Sequence, residues 1–148
     1  MCEPDKHAIF ISRPLTSLEN FSLIAACDCF VSLHRSEGFG RGPGEAMFLG
    51  RMAMATAWSG NMDYMDADSA LLVNYELTPV PDGAYPHGNG QVWAEVDIDH
   101  SVHLALKAMD DPSFARSVER AGRRAVFARA GNRAVGLRMA ERIVSATL

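Results

Sequence analysis

Two short apolar runs, residues 29–33 (CFVSL) and 52–56 (MAMAT), flank a glycine-rich turn and one short helical segment. The first run reads as a strand buried on both faces, and the second as another strand. A strand, a helix and a strand in that order join parallel neighbours. The crossover is right-handed, so helices come to lie on both faces of the sheet. Further strands are predicted at residues 7–12 (HAIFIS) and 71–74. The expected fold class is α/β, a Rossmann-like parallel sheet with flanking helices. Ligands on such sheets bind beyond the carboxyl ends of the strands. The loops after Leu33 and Thr56 should meet there.

Helix boundaries follow from punctuation. Thr16-Ser17-Leu18-Glu19 reads as a capping box that opens a helix running to about Cys27. Pro43 suits the first position of a helix over residues 43–49, and Gly50 is its stop. Asn61 is placed as the cap of a short helix through Met65. Residues 76–90 hold Pro79, Pro81, Gly83, Pro86, Gly88 and Gly90, and are predicted to be one long irregular loop. Asp99 is predicted to cap a helix carrying Val102, Leu106 and Met109. Asp111-Pro112 begins another, carrying Phe114, Val118 and Val126. Asn132 caps the last, carrying Val135, Met139 and Ile143.

The 148 residues are 48% hydrophobic and 22% charged, enough for one folded domain with a real core. No apolar run reaches the ~20 residues that span a bilayer. The start of the chain carries no export signal, so a cytoplasmic setting is expected. Cys2, Cys27 and Cys29 fit neither a zinc knuckle nor a Cys-x-x-Cys motif, and are read as reduced thiols. Charge is uneven: up to Asp111 there are 16 acids against 6 bases, and beyond it eight arginines against Glu119 and Glu141. This basic tail, residues 112–148, is read as a solvated helix face or one that docks on the acidic body. Phe114 and Phe127 alone are too few to stack bases, so nucleic acid is set aside as a partner.

The strongest chemical signal is Glu37 and Glu45, with seven residues between them, around Gly38, Gly40, Gly42 and Gly44. Glycines let the backbone turn sharply and let a ligand approach it. The turn opens onto a helix N-terminus, where free N–H groups and the dipole favour an anion such as a diphosphate. Glu37 can reach past the phosphates to the group attached to them, and Glu45 can accept hydrogen bonds from a ribose diol. A plainer reading stays open: Glu45 near a helix start suits the dipole alone, and Glu37 could be a surface acid. His34 is read as a packed or hydrogen-bonded side chain, and His87, His100 and His103 as structural or surface. Met47, Met52, Met54, Met62 and Met65 are read as core filler.

The stretch ACDCFVSLHRSEGFGRGPGEAMFLGRMAMATAWSGN, residues 26–61, closely resembles the C-terminal domain of group 1 glycosyltransferases (family 4, GT-B fold). The pattern is Ala-Cys-Asp, a buried strand, Glu-Gly-Phe-Gly, then Glu-Ala-Met on a helix that ends in glycine. The likeness begins near Leu15 and continues weakly to the end, where NYELTPV, AYPHGNGQVWAEVDID and the arginine-rich helices look like the bacterial members. It implies that Glu37 is the catalytic glutamate facing the donor sugar, and that Glu45 holds the ribose. Gly38, Phe39 and Gly40 would offer main-chain contacts, and Arg41 and Gly42 would meet the phosphates. Arg41 stands where the family usually has leucine, and would add a charge-assisted phosphate contact. Ser59, Gly60 and Asn61 would line the same cleft.

The resemblance further implies transfer of a sugar from a UDP-, GDP- or ADP-linked donor to an unidentified acceptor, with retention and without a metal or cofactor. Such enzymes place the reaction between two Rossmann-like domains. Only 36 residues precede Glu37, and no matching basic pair sits upstream. The chain is therefore expected to be a truncated donor-binding half of a GT-B fold, inactive by itself, with a peripheral inner-membrane setting open for a longer parent protein. The alternative is a non-catalytic remnant that self-associates through an exposed sheet edge.

Overall fold

The computed structural model describes residues 7–146. Cys2 lies outside them. Helix α1 (Ser17–Ala26) leads into strand β1 (Cys29–Ser32), helix α2 (Arg41–Phe48) and strand β2 (Met52–Thr56). A 3-10 turn (Gly60–Asp63) then precedes β3 (Leu71–Val73). Strands β4 (Tyr75–Pro79) and β5 (Val92–Val96) follow, then helices α3 (Ile98–Asp110), α4 (Pro112–Ala130) and α5 (Asn132–Ala146). β1, β2 and β3 form a parallel sheet in that order, with Cys29 opposite Met52 and Met54 opposite Leu71. β4 and β5 form a separate antiparallel hairpin. The molecule is mixed α/β, and its three-stranded parallel sheet with flanking helices is compatible with a Rossmann-like fold. No helix among the described residues is long and apolar enough to cross a membrane.

β2 is the axis of the core, and all five of its residues are buried. Side chains alternate across a strand. Ala53 and Ala55 face Met47 of α2, Tyr64, Met65 and Val126 of α4. Met52 and Met54 face Leu71, Val73, Ala108 of α3 and Val118 of α4. The small alanines let α2 lie close, so that Met47 is fully enclosed. α4 contributes to both clusters, Val118 to one and Val126 to the other, and so closes the two halves together. Each large apolar side chain buried this way stabilises the fold by about 1.5–3 kcal/mol. Met62, read as core, is partly exposed, because it sits on the outer side of the 3-10 turn.

Several boundaries differ from the sequence reading. Residues 7–12 form no strand, join neither sheet, and leave Ile9 and Phe10 exposed. β1 is not buried on both faces: it is the outer strand of the sheet, and Val31 is 54% exposed above an apolar groove. α2 starts at Arg41, so Pro43 occupies the third helical position, where its missing N–H is still harmless. Asp97, not Asp99, caps α3 by accepting the His100 N–H at 2.9 Å. Asn132 is the first residue of α5 rather than its cap, and the Gly131 carbonyl accepts the Val135 N–H instead. The predicted loop over 76–90 is a strand as far as Pro79. Its partner β5 pairs Leu77 with Ala94 and Thr78 with Trp93. Asp111 and Pro112 do open α4 as expected, with the Asp111 carboxylate accepting the Ser113 and Phe114 N–H groups. The basic tail docks on the acidic body through Arg129 and Asp66, 2.6 Å apart.

Candidate functional site

Parallel pairing places the carboxyl ends of β1 and β2 side by side, with Ser32 opposite Ala55. The chain leaving β1 and the chain leaving β2 are then stitched together. The Thr56 hydroxyl donates to the His34 carbonyl at 2.7 Å. The His34 ring contacts Ser32 Oγ through Nδ1 (3.2 Å) and the Trp58 carbonyl through Nε2 (3.1 Å). A carbonyl can only accept, so Nε2 carries the proton and His34 is occupied as a structural side chain.

Glu37 is clipped by the loop after β2. Its N–H donates to Ser59 Oγ at 3.3 Å, the Ser59 hydroxyl donates back to the Glu37 carbonyl, and the Gly60 N–H donates to the same carbonyl at 3.1 Å. Ser59 reaches this position at φ 81° and ψ −155°, a region that residues other than glycine rarely occupy. Gly60 admits no side chain, because a Cβ there would lie 1.9 Å from the Gly38 carbonyl oxygen. With its backbone fixed, Glu37 keeps its half-buried carboxylate beside the turn, where one oxygen accepts the Gly38 N–H at 3.0 Å.

The turn closes at Gly40, whose φ of +80° a residue with a side chain would resist. Tyr64 lies beneath it and donates its hydroxyl to the Gly40 carbonyl. Burial pushes the Tyr64 phenol well above its ordinary range, and the nearby Glu37 carboxylate pushes the same way, so the hydroxyl stays a donor. Phe39 covers the Tyr64 ring with centroids 5.1 Å apart. Because Gly40 is the N-cap, no side chain caps α2, and the Arg41 and Gly42 N–H groups have no partner within the helix.

Glu45 sits one turn into α2, largely covered, with its side chain 20% exposed. Asn20 of α1 donates to it at 3.4 Å, and Arg41 Nε lies 3.3 Å away. It lines a polar concavity of about 550 Å³ with Thr16, Ser17, Asn20, Phe21 and Arg41. Glu37 does not line that concavity. The two carboxylates flank the N-terminus of α2 rather than sharing one cavity.

Of the residues named from sequence, Glu37, Gly38, Phe39, Gly40, Arg41, Gly42, Glu45, Ser59 and Gly60 are brought together here. Asn61 is not at the surface of the site. It is fully buried and does not cap the turn; its Nδ2 donates to the Thr56 carbonyl at 3.0 Å and so ties the end of β2 to the turn. Asn20 and Tyr64 are participants that sequence reasoning missed. Tyr64 had a faint signal, since a large residue must fill the space that Gly40 and Gly44 leave open. Asn20 had none, because its contact with Glu45 spans two helices. Among the described residues, no group of three histidine, cysteine or acidic side chains could hold a metal. Comparison with known proteins adds no identification: no protein-family model matches the chain, and no curated protein matches it significantly.

Proposed function

We propose that this chain is the donor-binding half of a retaining glycosyltransferase of the GT-B type, acting on a UDP-, GDP- or ADP-linked sugar. The observation that carries the reading is the uncapped N-terminus of α2, with Glu37 on one side and Glu45 on the other. The Arg41 and Gly42 N–H groups and the helix dipole would hold the diphosphate. Glu45 would exchange its Asn20 and Arg41 contacts for the ribose hydroxyls, which frees Arg41 to face a phosphate. Glu37 would face the sugar, accept its hydroxyls and stabilise the positive charge that develops at the anomeric carbon as the diphosphate departs. No metal or cofactor has a part in this scheme. Turnover belongs to a larger protein that supplies an acceptor-binding half.

Two variants separate the roles. Glu45→Ala should weaken a nucleoside diphosphate and its sugar alike, by roughly tenfold or more. Glu37→Gln should leave the nucleoside diphosphate unaffected and weaken only the nucleotide sugar. Equal effects of both variants on both ligands would contradict the assignment.

A second reading, assembly without catalysis, draws on a different observation. The free edge of β1 and the exposed Val31 beside it offer a surface on which a second copy could pair.

A further inference from the structure

Arg35 stands two residues before Glu37, yet its side chain is engaged elsewhere. Its Nε donates to one oxygen of Glu95 at 3.0 Å and its Nη2 to the other at 3.2 Å. Its guanidinium carbon lies over the Trp93 ring, 4.5 Å from the centroid. The residue between these two partners holds the same target, since the Ala94 N–H donates to the Arg35 carbonyl at 2.9 Å. Three successive residues of β5 thus grip one residue of the loop after β1.

The grip does little for overall stability. The paired side chains are 52% and 48% exposed, and pairs of that kind contribute little. What it fixes is the direction in which the Arg35 guanidinium points. An arginine this close along the chain is the natural fork for a carboxylate. Among the described residues, no ion pair engages Glu37. Arg41 is held by Glu45 at 3.3 Å. The Tyr64 phenol below is kept protonated by burial and by Glu37 itself. Residues 57–60, which clip the Glu37 backbone, carry no charged side chain. Arg35 is therefore the cation nearest to Glu37 along the chain.

We propose that Glu95 and Trp93 act as a keeper: they hold the Arg35 guanidinium off the Glu37 carboxylate and leave that carboxylate open to a ligand. Both are positioning residues that act through Arg35. The consequence for sugar binding rests on the donor-site reading above; the sequestration itself does not. A Glu37 paired with guanidinium would have its oxygens occupied and its charge offset, and could neither accept sugar hydroxyls nor stabilise a neighbouring positive charge.

The test is carbon-13 NMR of the Glu37 carboxyl in the full chain, with Glu95→Gln, Arg35→Met and the double variant. Glu95→Gln releases Arg35 and should move the Glu37 Cδ resonance. The double variant should return it to the wild-type position, and Arg35→Met alone should leave it there. Unfolding midpoints should stay level, because the exchanged side chains are half exposed. In parallel, UDP-glucose, GDP-mannose and ADP-glucose are titrated. The one that binds should weaken roughly tenfold in Glu95→Gln and recover in the double variant. A Glu37 resonance unmoved by Glu95→Gln overturns the proposal. A shift that the double variant fails to reverse also overturns it, since the effect then came from a loosened hairpin. If the carboxyl pattern holds and no nucleotide sugar binds the wild type, the donor-site reading falls and the keeper stands.

Discussion

At the scale of single residues, the site depends on how Glu37 is held. Ser59 pays for its place with a backbone conformation that costs about 1–3 kcal/mol. It recovers two hydrogen bonds to the Glu37 main chain, each worth about 1 kcal/mol. These magnitudes nearly cancel. Ser59→Gly should therefore change the urea midpoint very little, while amide exchange at Glu37 and Gly38 rises severalfold. A large loss of global stability would contradict this balance. Gly60→Ala is different in kind, because its Cβ would overlap the Gly38 carbonyl. It should destabilise by at least about 1–3 kcal/mol in urea unfolding and displace the Glu37 turn. The glutamate and glycine pattern was legible in the sequence because each residue type answers a local need for a turn, a charge or an approach. The clip itself was not. Ser59 and Glu37 are 22 residues apart, and no local rule says which hydroxyl will meet which backbone.

At the scale of elements, the clearest case is α1. Thr16 and Glu19 form the reciprocal cap that four consecutive letters announced. Thr16→Ala should cost about 1 kcal/mol in thermal or urea unfolding. The Glu19 carboxyl is held down to about 2 from 4.5, first by Arg13 and then by the Thr16 backbone and hydroxyl. A lowered carboxyl stabilises the folded chain above its unfolded value and loses that effect on acidification. The contribution is present above pH 4.5 and fades between pH 4.5 and about 2. Glu19→Gln should flatten the acid limb of stability across that window. An unchanged acid limb would show that the cap does not carry it. β2 and α4 were equally legible, one from a compact apolar run and the other from Asp-Pro followed by helical spacing. The β4–β5 hairpin was not. Its prolines and glycines crowd residues 79–90 and hide the two-residue alternation of Tyr75, Leu77 and Pro79. Only the cross-strand partner at Val92–Val96 makes that alternation count. The predicted strand at 7–12 failed for the opposite reason: its apolar residues fit a strand, but a strand exists only where an edge receives it.

At the scale of the whole molecule, one sheet carries two unequal sides. β3 is covered by α3, while β1 presents an open edge and Val31 to solvent. α5 buries none of its residues, though it packs along α4. An open edge with apolar neighbours favours pairing with another strand. Sedimentation velocity should therefore show concentration-dependent association, and Val31→Lys should reduce it. A strictly monomeric wild type at high concentration would contradict that expectation. The overall α/β architecture was legible because alternating strand and helix signals permit few arrangements. Which edges would stand open was not, since exposure depends on what is absent from beside a strand rather than on its own letters.

On the function proposed above, the N-terminus of α2, between Glu37 and Glu45, receives a nucleoside diphosphate. The measurement that meets it most directly is a calorimetric titration of UDP, GDP and ADP into the chain, with Glu45→Ala alongside. One nucleotide should bind saturably, and roughly tenfold or more weakly in the variant. Absence of binding by all three, or binding that Glu45→Ala leaves unchanged, would contradict it.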